Sequence, residues 1–417
     1  GADTTEVNLW RSGTSRIDVV DDAAGQHTVV VNGTSLAEVL LLRATATTGL
    51  VAALTAAVAG AYTAAEWLTY AAGITAVVLN TGAGDDLVAF DSTAAEVTAN
   101  LGDGDDLTRV GQVFTSYVAD PEFGAGASFE STRGWLSDGI HVAATVNGEA
   151  GADVFEVYRN QAALALFGGD GDDIFVVRTF VDIDSVASIN AGAGADQISY
   201  SQNAPVAIEG GAGRDLVVIV GDESNNVFVI TAAGIWGSGL QISYSGIERL
   251  TVYGQQGNDR IYVLSTDAGV AVAVYGGLGS DRIQVGGHAP DVTVRDAAGN
   301  LTTVSFGTTT LAAITGALVV SGGNDPDPDY DIEIDAYLPV LLPGETSGHP
   351  WPVSASTGQA VETAQVDTVS FDDSAATAGG SGSLDATTLT GFGMLPGGVT
   401  YLDAEALEVL LGSGADR

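Results

Sequence analysis

Gly168-Gly169-Asp170-Gly171-Asp172-Asp173, followed by Ile174-Phe175-Val176-Val177, is the stretch on which the reading of this chain turns. Closely spaced glycines permit positive φ, so the first six residues form a tight turn. The β-branched and aromatic run behind them suits a short strand. The same turn recurs on both sides: Thr81-Gly82-Ala83-Gly84-Asp85-Asp86, Leu101-Gly102-Asp103-Gly104-Asp105-Asp106, Gly148-Glu149-Ala150-Gly151-Ala152-Asp153, Ala191-Gly192-Ala193-Gly194-Ala195-Asp196, Gly210-Gly211-Ala212-Gly213-Arg214-Asp215, Gly254-Gln255-Gln256-Gly257-Asn258-Asp259 and Gly276-Gly277-Leu278-Gly279-Ser280-Asp281. A degenerate copy, Gly322-Gly323-Asn324-Asp325, follows.

The closing aspartates are spaced by 20 residues (Asp86 to Asp106, Asp153 to Asp173), 23 (to Asp196), 19 (to Asp215) and 22 (Asp259 to Asp281). Three other gaps, from Asp106 to Asp153, Asp215 to Asp259 and Asp281 to Asp325, are 47, 44 and 44 residues. They read as doubles, with some coils lacking the motif. The period predicts stacked β-coils of about 20–23 residues building parallel sheets around one core. Two residues after each closing Asp stands the expected inward residue: Val88, Phe155, Phe175, Ile198, Val217, Ile261 or Ile283, with Thr108 the weak member.

Composition agrees. Glycine is 56 of 417 residues, with no collagen period, and 46% of the chain is apolar, enough for a sizeable core. The chain carries 53 acidic and 13 basic residues, all arginine, for a net charge of -40. Such a chain repels nucleic acid and anionic membranes. It is expected to insert into no membrane, although Ala44 to Ala65 is uncharged; an apolar coil or a packed helix is the reading there, and Leu50 to Thr69 carries the one trace of a helical period. There are no cysteines, which a large solenoid does not need.

Two stretches break the array. Asp120 to Asp138, with Trp135, reads as a loop thrown out from one coil. Asp325 to Pro352 is rich in Pro and Asp. The expected organisation is a β-solenoid over 1–325, a linker or surface loop over 326–352 and further coils over 353–417 that continue the solenoid. Both ends lie in mid-motif, Gly1-Ala2-Asp3 and Gly414-Ala415-Asp416, as expected of a segment cut from a longer array.

The pattern Gly-Gly-x-Gly-x-Asp followed by a strand resembles the RTX, or haemolysin-type, calcium-binding repeat; Gly168 to Val176 and Gly276 to Gln284 match its full nonapeptide. Here the motifs are dispersed at about 20 residues rather than run in tandem. The chain is therefore similar to the repeats of very large bacterial surface proteins, adhesins and surface-layer components; Val366 to Asp416 looks like a segment that recurs in them. The resemblance implies an all-β fold, a right-handed parallel β-helix, that binds Ca2+ outside the cell.

Calcium takes six to eight oxygens, so turns on adjacent coils must share an ion. The residues expected to take part are Gly82, Gly84, Asp85 and Asp86 with Gly102, Gly104, Asp105 and Asp106; Asp153 with Gly169, Gly171, Asp172 and Asp173; Asp196; and Asn258 and Asp259 with Asp281. At Asp215 the guanidinium of Arg214 stands where a cation would. Ala152, Ala195 and Ser280 each remove a ligand from the family pattern. The competing reading is a turn whose Asp hydrogen-bonds its own backbone. It explains the glycines but not the paired acids in a chain this acidic.

The function expected is an extracellular, cell-surface structural rod or lattice segment, with neighbouring copies or other segments of a larger array as partners and glycans as a further partner class. The alternative is a carbohydrate-binding or polysaccharide-cleaving β-helix, with the Trp135 loop and the Trp351 segment as grips. No enzyme is expected: His27, His141, His288 and His349 are scattered, and no nucleophile elbow or zinc helix occurs.

Overall fold

The computed structural model describes residues 2–9, 14–20, 25–58, 61–131, 134–178, 187–201, 206–237, 240–295, 300–324, 339–347 and 365–417. Strands dominate; the only helical element among these residues is the 3-10 turn Leu311–Ala313. The chain divides into two compact units, 1–196 with 333–355, and 197–332 with 356–417. The architecture is all-β, rich in parallel pairing and solenoid-like.

In unit 1 the chain alternates between two parallel stacks. The first runs Asp3–Asn8, His27–Thr34, Ala76–Ala83, Glu96–Asp103, Ala144–Ala150, Leu164–Asp170, Ala187–Gly194. The second runs Val39–Ala44, Leu87–Phe90, Leu107–Val110, Val154–Val157, Ile174–Val177. Alternation sets the core. Val31, Leu79, Ala99, Val146, Leu166 and Ile189 align in one buried column. Leu40, Val88, Thr108, Phe155 and Phe175 align in another, with the two Phe rings stacked 4.6 Å apart. Thr108, the weak member, is fully buried and its hydroxyl has no hydrogen-bond partner among the described residues. On the first stack an asparagine ladder climbs the rungs: Asn32 donates to Asn8, Asn80 to Asn32, Asn100 to Asn80 and Asn147 to Asn100, at 2.7–2.9 Å.

Unit 2 repeats the scheme. One stack is Gln197–Ser201, Leu216–Val220, Arg249–Tyr253, Ala271–Tyr275, Leu318–Ser321, Val399–Leu402. The other is Val227–Thr231, Arg260–Val263, Arg282–Gly286, Thr368–Asp372, Ala406–Leu410. The inward positions Ile198, Val217, Ile261 and Ile283 are buried.

The long gaps differ from the sequence reading. Leu107–Val110 pairs directly with Val154–Val157, so Asp106 to Asp153 is one coil, not two. The extra length is an excursion holding the antiparallel strands Val113–Phe114, Phe129–Ser131 and Gly134–Leu136. Arg282 pairs with Thr368 across 86 residues on the same principle. Asp325 lies outside the described residues, as do His349 and Trp351. The uncharged stretch near Leu50 is neither coil nor helix. It forms the antiparallel strands Thr48–Val58 and Ala61–Ala71, which bury Leu50, Val51, Ala52, Ala53 and Leu54 through cross-strand pairing. Pairing neighbours outweigh a weak helical period.

Candidate functional site

The glycine turns stack backbone on backbone. Gly171 has φ +140°, and a Cβ there would lie 1.8 Å from the carbonyl oxygen of Gly151 on the preceding coil. Gly151, at φ +144°, stands in the same relation to Gly104. These glycines are required by positive φ and by close approach together.

The last two residues of each turn then part. A strand alternates, so the closing Asp points the same way as the core residue two positions later. Asp86, Asp106, Asp153, Asp173 and Asp196 are all buried. Each Oδ1 accepts the backbone N–H of the closing residue one coil earlier. Glu38 donates to Asp86 (2.6 Å), Asp86 to Asp106 (2.7 Å), Asp106 to Asp153 (2.9 Å), Asp153 to Asp173 (2.8 Å) and Asp173 to Asp196 (2.8 Å). This inner ladder clamps successive coils of unit 1.

The preceding residue points outward and makes a second ladder of opposite sense. Asp85 Oδ1 accepts from Asp105 N–H (3.2 Å), Asp105 from Ala152 (2.9 Å) and Asp172 from Ala195 (2.7 Å). Asp85, Asp105 and Asp172 are exposed, as are Asp103 and Asp170 beside them. Ala152 offers no acceptor, so the outer ladder is interrupted there.

Unit 2 carries both ladders with different residues. Its inner one runs from Asn226 N–H to Asp259, Asp259 to Asp281, Asp281 to Asp367 and Asp367 to Glu405, all at 2.7–2.8 Å. Asp215 N–H likewise meets Glu248 (2.8 Å). Arg214 is exposed, whereas Asp215 is buried. The outer ladder is built of amides and a hydroxyl: Asn258 N–H donates to Asn225, Ser280 N–H to Asn258 and Val366 N–H to Ser280. The glycine motif did not reveal Asn226, Glu248, Asp367 or Glu405. Their common signal is position: each directly precedes a four- to six-residue strand that enters a stack.

The inner carboxylates are electrostatically strained. Burial pushes Asp106 and Asp173 up to about 7, and Asp153 and Asp259 up to about 6. The amide each accepts works against that shift, and neighbouring aspartates add to it. The second oxygen of all four is buried without a hydrogen-bond partner among the described residues. In Asp153, Asp173 and Asp259 it rests on a glycine five residues earlier: a Cβ on Gly148, Gly168 or Gly254 would come within 2.1–2.2 Å of it. The next coil's carbonyl bounds the same space, at 2.2–2.3 Å.

The residues expected to hold calcium are thus neighbours on adjacent rungs, and Gly82, Gly84, Gly102, Gly104, Gly169 and Gly171 all have positive φ. Among the described residues no group of three or more His, Asp or Glu side chains is arranged to hold a metal ion. An inner carboxylate, with one oxygen on an amide and the other walled by backbone, offers little to a hydrated cation. The outer pair Asp85 and Asp105 offers two exposed carboxylates from successive rungs. Trp135 is half-buried against Phe114, Val118, Ala127 and Leu341, edge-on to Tyr117 at 5.3 Å. No family model matches this chain, and no curated protein matches it in sequence.

Proposed function

We propose that the chain is a rigid structural segment of a large bacterial cell-surface protein, of the adhesin or surface-layer kind, coiled as a right-handed parallel β-helix and responsive to extracellular calcium. The observation that supports this is the doubled ladder. Two columns of hydrogen bonds of opposite sense, the inner one continuous through Asp86 to Asp196 and the outer one interrupted at Ala152, clamp successive coils of unit 1, which suits a load-bearing scaffold. Calcium belongs on the exposed acids of unit 1, above all Asp85 with Asp105, and Asp172 with Asp170. Asp86, Asp106, Asp153, Asp173 and Asp196 act as clamps behind them, and the amide column of unit 2 at Asn258 attracts cations less. Two carboxylates completed by water make a weak site, in the range of extracellular modules, roughly 10⁻⁴–10⁻³ M.

The test is melting after chelation, with millimolar calcium, then magnesium, then sodium at matched ionic strength. Calcium should raise the midpoint more than the other two, and Asp85→Asn/Asp105→Asn should abolish most of that excess. A midpoint that calcium leaves unmoved, or moves no more than sodium does, removes calcium from the proposal. Electron micrographs showing no elongated particles would remove the rod.

A further inference from the structure

The groove of unit 1 that holds residues 339–347 has the construction of a linear-peptide recognition site. Gln112, buried, grips the main chain of Val340 from both sides: its Oε1 accepts the Val340 N–H (2.7 Å) and its Nε2 donates to the Val340 carbonyl (3.1 Å). The same Nε2 donates to Asp91 Oδ1 (2.8 Å), which fixes the amide's orientation. The next side chains alternate, as in a strand. Val340 and Leu342 enter an apolar pocket with Leu41, Leu50, Leu54 and Phe123, while Leu341 enters a second with Phe114, Val118 and Trp135. Pro343-Gly344 then turns the chain, Gly344 at φ +93°, with Glu345 N–H bonded to the Leu342 carbonyl (3.0 Å). The turn delivers Glu345 to the guanidinium of Arg43, Nη1 at 2.6 Å and Nη2 at 3.1 Å. Arg43 is fully buried, and its other edge is held by Asp91 at 2.8 and 3.1 Å. The groove thus reads a backbone, three apolar side chains and the side-chain carboxylate of Glu345, the elements by which extended peptides are recognised.

This ligand is not continuous with the unit it fills. In sequence it follows residues 197–332, which belong to unit 2, and residues 356–417 of unit 2 come after it. The spans 325–338 and 348–364 flank it, and 14 residues reach at most about 45–50 Å when extended. A second copy carries the same segment on the same tethers. We propose that this groove is a peptide-binding site whose partner is residues 339–347 of a second copy, so that copies join by exchanging this segment. Tethering gives the cis segment an effective concentration of about millimolar order, so exchange grows as the chains are concentrated. The proposal does not depend on calcium.

The test uses the full chain and a fluorescent peptide of residues 338–348. In Val340→Asp/Leu342→Asp the groove is vacated. The peptide should bind this variant at least tenfold more tightly than wild type, and a peptide carrying Glu345→Lys should lose at least tenfold. Differently tagged wild-type chains, concentrated together, should form mixed dimers by ultracentrifugation, and the double variant should form none. If the double variant does not fold, Glu345→Gln should give the same ordering with smaller differences. Absence of peptide binding to a folded variant overturns the site. Peptide binding with no mixed dimers at any concentration, or dimers that persist in the variant, overturns the second copy as its partner.

Discussion

Units 1 and 2 solve the same problem with different charges. In unit 1 the outer ladder is acidic, at Asp85, Asp105 and Asp172, whereas in unit 2 it is neutral, at Asn225, Asn258 and Ser280. The inner ladder of unit 1 is all aspartate above Glu38, whereas that of unit 2 begins at Asn226 and ends at Glu405. The geometry survives each exchange. What joins coil to coil is an acceptor oxygen at the right reach, and the negative charge is additional to it. The acidic outer ladder of unit 1 is therefore not needed to hold the stack, and the calcium proposal rests on that difference.

The largest effect expected is confined to unit 1. Arg43→Met leaves Asp91 and Glu345 buried without their cation, a loss of about 3–5 kcal/mol. Denaturant unfolding followed by hydrogen exchange should show it in the rungs around Val39–Ala44 and leave the unit 2 rungs around Arg260–Val263 unmoved; an equal loss in both would break the distinction between the units. Next come paired substitutions in the two inner ladders. Asp173→Ala and Asp259→Ala each strand one buried amide, that of Asp153 or of Asn226, at a cost of about 1–3 kcal/mol. The isosteric Asp173→Asn and Asp259→Asn keep the acceptor and lose the charge, so at pH 8 they should match or exceed wild type in chemical denaturation. If Asn proves as damaging as Ala, the charge itself holds the coils.

The inner ladders also differ in pH dependence. Asp106, Asp153, Asp173 and Asp259 titrate near 6–7 when folded, well above the ordinary carboxyl value of 3.8. Between those limits the folded chain holds protons that the unfolded chain has released. The stability they contribute is therefore full below about pH 4 and is lost as pH rises through 6 to 7. Melting midpoints should fall from pH 5 to pH 8, and Asp173→Asn should flatten the slope. Three of these four groups lie in unit 1, so hydrogen exchange should locate most of the loss there. A midpoint that rises over that range would contradict the buried acids as its source.

Much of the fold was legible because the turn, the strand and the period agree. The excursions were not. A coil without a motif and a coil with a long insertion lengthen the gap equally, so the 47 residues from Asp106 to Asp153 read as two coils when they are one. The site was legible in its residues and less so in their roles. The alternation that puts Val88 inside puts Asp86 inside and Asp85 outside, so the two acids of that turn face different surroundings. Glu248 and Glu405 lack the full motif: Gly246 alone stands close before the first, and no glycine stands within six residues before the second. The recognition of residues 339–347 by Gln112 and Arg43 joins positions far apart in sequence, and no local pattern encodes it.

The opposed ladders also let one coil of unit 1 prepare the surface for its neighbour. A folded coil such as that of Asp85 and Asp86 already displays, on Asp85, the acceptor that the Asp105 amide of the next coil will meet. Its own Asp86 amide waits for Asp106, which arrives with that same coil. That addition therefore satisfies two groups on the old surface and two on the new, and where the incoming turn carries both acids it leaves behind an equivalent surface. That is the behaviour of a template: once nucleated, the array elongates coil by coil, each finished turn selecting the hydrogen-bond register of its successor.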